Sequence, residues 1–159
     1  MNAVDVIVED DSWKAIRDKA SLIEKAVQTA IAEMGEGHPG VVAVLLTGDD
    51  AVAALNEKFR GKSGPTNVLS FPSVEGADNH LGDIALAWGV IEREASERGL
   101  TLENHLTHLV VHGFFHLQGY DHQTDPEAEE MEDLERKTLA RLGIADPYAQ
   151  DEDLHEGAE

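Results

Sequence analysis

Between His112 and His122 the chain reads His-Gly-Phe-Phe-His-Leu-Gln-Gly-Tyr-Asp-His, placing histidines at i, i+4 and i+10. On a helix, residues four apart differ by about 40° in heading and about 6 Å in rise, so His112 and His116 share one face. Gly119 suits the left-handed position that ends a helix and turns the chain back. That reversal brings His122 toward the same point. Three neutral imidazoles converging there, with the fourth position left to water, describe an open zinc site holding one ion per chain. Such a site polarises an oxygen and supplies a water whose pKa is lowered to about 7. The chain has no cysteine, so any metal must be held by His, Asp or Glu.

The spacing matches that of metzincin zinc proteases, His-Glu-x-x-His-x-x-Gly-x-x-His, with one departure. Those enzymes place a glutamate directly after the first histidine as general base. Here that position is Gly113, which cannot accept a proton, so a metallopeptidase becomes the second reading. His105 and His108 lie farther back on the same helical face and read as structural. Phe114, Phe115 and Leu117 lie off the ligand face and read as core. With aromatics at only 5%, an extended stacking surface for single-stranded RNA is not expected. Lys58, Arg60 and Lys62 fall within five positions of one another. A guanidinium offers planar paired donors to phosphate oxygens, yet arginine at a helix end is also favoured simply by the dipole. Taken alone, the residues favour that plainer account of Arg60.

The elements that position these residues follow from periodicity. Ala3–Val8 reads as a first strand. Asp11 or Ser12 is expected to cap a long amphipathic helix carrying Trp13, Ile16, Ala20, Ile23, Val27, Ala30, Ile31 and Met34, closed by Gly35. Val41–Thr47 is an apolar run of buried-strand character. Asp49 or Asp50 is expected to cap a short helix ending near Phe59. A strand over residues 67–71, an irregular mobile loop over 72–80 and a strand over 81–88 follow. Helix resumes over 90–98, and Thr101 with Asn104 opens the histidine-bearing helix. Asp125, as cap before Pro126, opens a last helix running to about Leu142. The order predicts an α+β fold, a small mixed and mostly parallel four-stranded sheet packed with about five helices.

At 159 residues the chain reads as one domain over 1–144, followed by an acidic tail over 145–159 that is expected to be disordered. The N-terminus lacks a basic segment followed by an apolar core, and no apolar stretch is long enough to span a bilayer. The expectation is a soluble cytoplasmic protein without a membrane partner. The net charge is −20, from 32 acidic and 12 basic residues. Residues 125–159 hold half of that excess, with 13 acidic and three basic residues. Such a charge opposes general nucleic-acid binding, but it governs steering rather than what a local cleft can hold.

The segment from His112 to His122 resembles the defining motif of the YbeY family, bacterial metal-dependent endoribonucleases of ribosomal RNA maturation. Leu55-Asn56-Glu57-Lys58-Phe59-Arg60 with Pro65-Thr66-Asn67-Val68-Leu69-Ser70-Phe71-Pro72 resembles the family's second block, and Leu81-Gly82-Asp83-Ile84 its third. Asn67 stands where Asp is frequent. The resemblance implies a zincin-like fold, zinc held by His112, His116 and His122, and catalysis by Arg60 and His112. Arg60 would then contact phosphate, assisted weakly by Lys58 and Lys62. Asp83 and Asp121 become candidates for orienting a ligand imidazole from behind, ahead of a general-base role; Asp121 suits the turn before His122 equally well. The function implied is a zinc-dependent, single-strand-specific endoribonuclease. It would act on the 3′ end of small-subunit (16S) rRNA and in ribosome quality control. Its partners would be precursor rRNA, not DNA, and the small ribosomal subunit with its basic proteins. The third reading is a non-enzymatic assembly factor with a structural metal.

Overall fold

The computed structural model describes residues 3–35, 37, 40–73, 79–121 and 123–147. Its strands are β1 (Ala3–Val8), β2 (Val41–Thr47), β3 (Val68–Pro72) and β4 (His80–Ala87). Its helices are α1 (Lys19–Met34), α2 (Asp49–Arg60), α3 (Trp88–Arg98), α4 (Leu102–Leu117) and α5 (Asp125–Arg141). The strands form one sheet in the order β1-β2-β4-β3, parallel except for the antiparallel β3–β4 pair. This is the mixed, mostly parallel α+β architecture expected. His122, residues 74–78 of the expected loop and residues 148–159 of the acidic tail lie outside the described residues.

Strand alternation gives the sheet two unlike faces. Val42, Val44, Leu46, Ile84 and Leu86 point into the main core, against α1, α4 and α5. Ala85, Ala87 and Leu69 point to the other face, where α2 covers them with Val52 and Leu55. Gly113 lets α4 sit directly on the first face. A Cβ there would lie 3.1 Å from both Ile84 Cγ2 and Ser70 Oγ, and the Ser70 hydroxyl donates to the Gly113 carbonyl at 3.2 Å.

Four helix starts differ from those expected, α3 beginning at Trp88 directly after β4 rather than at residue 90. The apolar pattern beginning at Trp13 is not one helix: Asp11–Ala15 forms a short 3-10 turn capped by Asp10, and α1 begins at Lys19. The buried Trp13 indole donates to the Thr47 carbonyl at 2.9 Å, which holds this turn off the α1 axis. Asp49 does not cap α2, whose cap is Gly48. Its carboxylate instead accepts from the Val90 N–H at 3.0 Å and from Arg93 at 3.3 Å, tying α2 to the start of α3. Thr124, not Asp125, caps α5, accepting from the Glu127 N–H. The charged Asp125 occupies the first turn, where the dipole favours it. Thr101 does cap α4, accepting from the Asn104 N–H at 3.1 Å.

Candidate active site

Four histidines, at 105, 108, 112 and 116, run along the face of α4 that floors a groove of about 1010 Å³. One wall is β3, and the end of α2 contributes Arg60 with Lys62 after it. Each histidine is held by an acceptor. His105 Nε2 lies 2.8 Å from Glu94 and His108 Nε2 lies 2.8 Å from Glu135. His112 Nδ1 lies 2.9 Å from the other Glu135 oxygen, and His116 Nδ1 lies 3.0 Å from the Tyr120 carbonyl.

The last two contacts decide the chemistry. A carboxylate and a carbonyl can only accept, so neutral His112 and His116 each carry their hydrogen on Nδ1. Their Nε2 lone pairs are thereby aimed at one another, 3.1 Å apart. Facing lone pairs at that distance repel unless a cation lies against both. Two imidazole nitrogens bound to one zinc ion at tetrahedral angles would sit about 3.3 Å apart. Donor type, spacing and the anchored far nitrogens all fit a transition metal. Among the described residues this is a pair of donors, and no group of three His, Asp or Glu gathers as a metal cluster. The third expected donor, His122, lies outside the described residues.

Sequence reasoning misses Glu135. It lies on α5 and is fully buried. Burial alone would raise its pKa, but hydrogen bonds from His108 and His112 outweigh that and hold it near 2 instead of 4.5. The sequence does contain a signal: Met131, Glu135, Thr138 and Leu139 share the buried stripe of α5, so a carboxylate interrupts an apolar face.

The remaining candidates separate by position. Arg60 lies at the end of α2, and its guanidinium donates to the Ser70 carbonyl at 3.1 Å on the edge strand β3. It thus reaches the groove that His112 and His116 line, as does Lys62. Lys58 does not; its ammonium sits 5.2 Å from the centre of the Phe59 ring. Asp121 lines the groove beside His116. Among the described residues, Asp83 orients no groove histidine. Alternation along β4 turns it to the α2 face, where it pairs with His80 at 2.8 Å. Phe114, Phe115 and Leu117 are buried core. Gly113 faces the sheet, so a glutamate base at that position would have no room.

The family model described as Endoribonuclease YbeY matches residues 7–143. This chain belongs to the YbeY family. A member from Maricaulis maris, named Endoribonuclease YbeY, is 62% identical over 148 residues, covering 93% of this chain and 92% of its own length. Another YbeY from Rhodopseudomonas palustris is 49% identical over 152 residues, covering 91% of this chain and 80% of its own. The solution structure of a Thermotoga maritima protein matches with a TM-score of 0.55 at 28% identity, covering 91% of this chain and 97% of that one. Among the described residues of this YbeY-family chain, no helix is long and apolar enough to cross a membrane.

Proposed function

We propose that this chain is a zinc-dependent endoribonuclease of the cytoplasm that cuts single-stranded RNA. Its substrate is the 3′ end of precursor small-subunit rRNA, and it takes part in ribosome quality control. The reading is supported by relatives named endoribonucleases at up to 62% identity. The observation that carries it is the pair of Nε2 atoms 3.1 Å apart, anchored from behind, in one groove with Arg60.

His112 and His116 would hold the metal, with His122 as the third donor. When bound, zinc supplies a Lewis acid and a water of lowered pKa. The chain's own groups do the rest. Glu135 keeps the His112 ring in the Nδ1–H form and turns its Nε2 into the groove. Cleavage of a phosphodiester concentrates negative charge on the non-bridging oxygens, and Arg60 supplies donors to them. The Ser70 carbonyl spends one guanidinium N–H to fix the direction of the others. Lys62, which also lines the groove, adds a second cation.

A surface of net charge −20 suits docking on the basic proteins of the small subunit, with the groove gripping RNA only locally. The test is cleavage of precursor rRNA by wild type, Arg60→Ala and chelator-treated protein side by side. Cutting is expected from wild type alone, with Arg60→Ala retaining its metal. Equal cutting by all three would remove both the metal and Arg60 from the mechanism.

A further inference from the structure

The groove continues past the histidine pair. His105 precedes His112 by seven residues, two turns of α4, or about 10.5 Å along the axis. Beside it Glu94 projects from α3, with its side chain 34% exposed against 2% for His105. Glu94 Oε1 accepts from His105 Nε2 at 2.8 Å and from the Asn67 amide at 3.0 Å, while Oε2 lies 3.4 Å from the same amide. The Val68 N–H donates to Asn67 Oδ1 at 2.7 Å, which fixes the amide with its NH₂ toward Glu94. A carboxylate on the groove wall is therefore clamped in one orientation by a buried imidazole and an oriented amide.

A carboxylate offers about four acceptor positions. Here Oε1 receives two donors and Oε2 one long contact, so acceptor capacity remains chiefly on Oε2. Burial raises the Glu94 pKa, but hydrogen bonds from His105 and Asn67 more than offset it, so the group is lowered and ionised at neutral pH. Arg60 reaches the groove next to His112 through Ser70. Glu94 lines it beside His105 together with Glu97 and Arg98, whose guanidinium donates to the Pro147 carbonyl and whose charge acts on Glu94. Arg60 offers donors to phosphate next to His112, whereas Glu94 offers an acceptor beside His105. What a fixed anionic acceptor receives is an N–H donor.

We propose that Glu94 forms a base-reading subsite, accepting a hydrogen bond from the exocyclic amino group of a nucleobase that neighbours the cleaved linkage. This rests on the endoribonuclease reading above and adds a preference to it. Cytosine presents its N4 amino group to a carboxylate, whereas uracil presents the O4 carbonyl in its place and two like-charged acceptors face each other. The subsite therefore favours cytosine over uracil. His105 and Asn67 act as positioning residues.

The probes are short single-stranded oligomers of cytidine and of uridine, which differ at that edge while sharing backbone and ring size. Their affinities are measured by fluorescence anisotropy on chelator-treated protein, and their cleavage on untreated protein. Wild type is expected to prefer the cytidine oligomer on the order of tenfold in affinity. In Glu94→Gln the carboxamide oxygen keeps the His105 contact and an NH₂ enters the groove, so the preference should fall to parity or reverse toward uridine. A merely structural role for Glu94 would weaken both oligomers alike and leave the ratio unmoved, which overturns the proposal. Equal binding of both oligomers by wild type overturns it too. The anisotropy comparison decides the subsite even if untreated protein cuts neither oligomer, a result that would count against the endoribonuclease reading alone.

Discussion

Glu135 orients one member of the histidine pair, His112, together with its neighbour His108. Its two oxygens contact two different imidazoles from within a fully buried position. Glu135→Gln preserves shape but puts an NH₂ against one ring N–H and removes the charge that favours the Nδ1–H form of His112. Zinc affinity is expected to fall about 10- to 100-fold, read by competition with a chromogenic chelator. Glu129→Gln, on the exposed side of the same helix, should leave it unchanged. Equal affinities in the two variants would show that His112 needs no orienting partner. Glu94 gives a second prediction at this scale. Its folded pKa is lowered below the ordinary 4.5 by its two donors, burial notwithstanding. A depressed carboxylate contributes stability that is present above the unfolded value and lost as pH falls through the folded one. Wild type should therefore lose Tm more steeply than Glu94→Gln as pH falls below the ordinary carboxylate value of 4.5. Parallel curves would mean that the clamp does not favour the ionised form.

At the scale of elements, the site depends on how closely α4 sits on the sheet. Arg60 is tied to the Ser70 carbonyl, and the Ser70 hydroxyl is tied to the Gly113 carbonyl next to His112. One strand residue thus sets the spacing between the guanidinium and the imidazoles. Gly113→Ala places a methyl 3.1 Å from Ile84 and from Ser70. Alanine gains up to about 1 kcal/mol of helix propensity, and overpacking costs about 1–3 kcal/mol. A net loss of about 1 kcal/mol is expected from urea unfolding, accompanied by a larger loss of cleavage than of stability. A stabilised variant would show that the helix is not seated as described.

This seating also explains what can and cannot be read from the sequence. The i, i+4 histidines and the caps of local reach, such as Thr101 on Asn104, are legible because their geometry is set within a turn or two. Glu135 is not, since its partners lie 23 and 27 residues away and it stands among many acidic neighbours. Asp83 misleads for the opposite reason. It lies near the motif by block, yet strand alternation sends it through the sheet, as the pattern of Gly82, Ile84 and Leu86 against Asp83 and Ala85 implies.

For the whole molecule the governing quantity is charge. A protein of net charge −20 repels RNA at long range, and Arg60 and Lys62 line the groove as cations, while Arg98, which also lines it, stands against Glu94 and the Pro147 carbonyl. Single-strand binding loses about 0.7 in the slope of log K against log salt per phosphate neutralised. Two contacts therefore predict a slope near −1.4, and screening of the general repulsion flattens it further. Arg60→Ala should halve that slope, while Lys58→Ala, whose ammonium lies on Phe59 rather than in the groove, should not change it. Anisotropy titrations of a labelled oligonucleotide across a salt series measure both. A slope of several units in wild type would require a cationic surface extending beyond the few cations that line the groove among the described residues. On the function proposed above, tight capture of the substrate would have to come from basic partner proteins that complement the acidic surface.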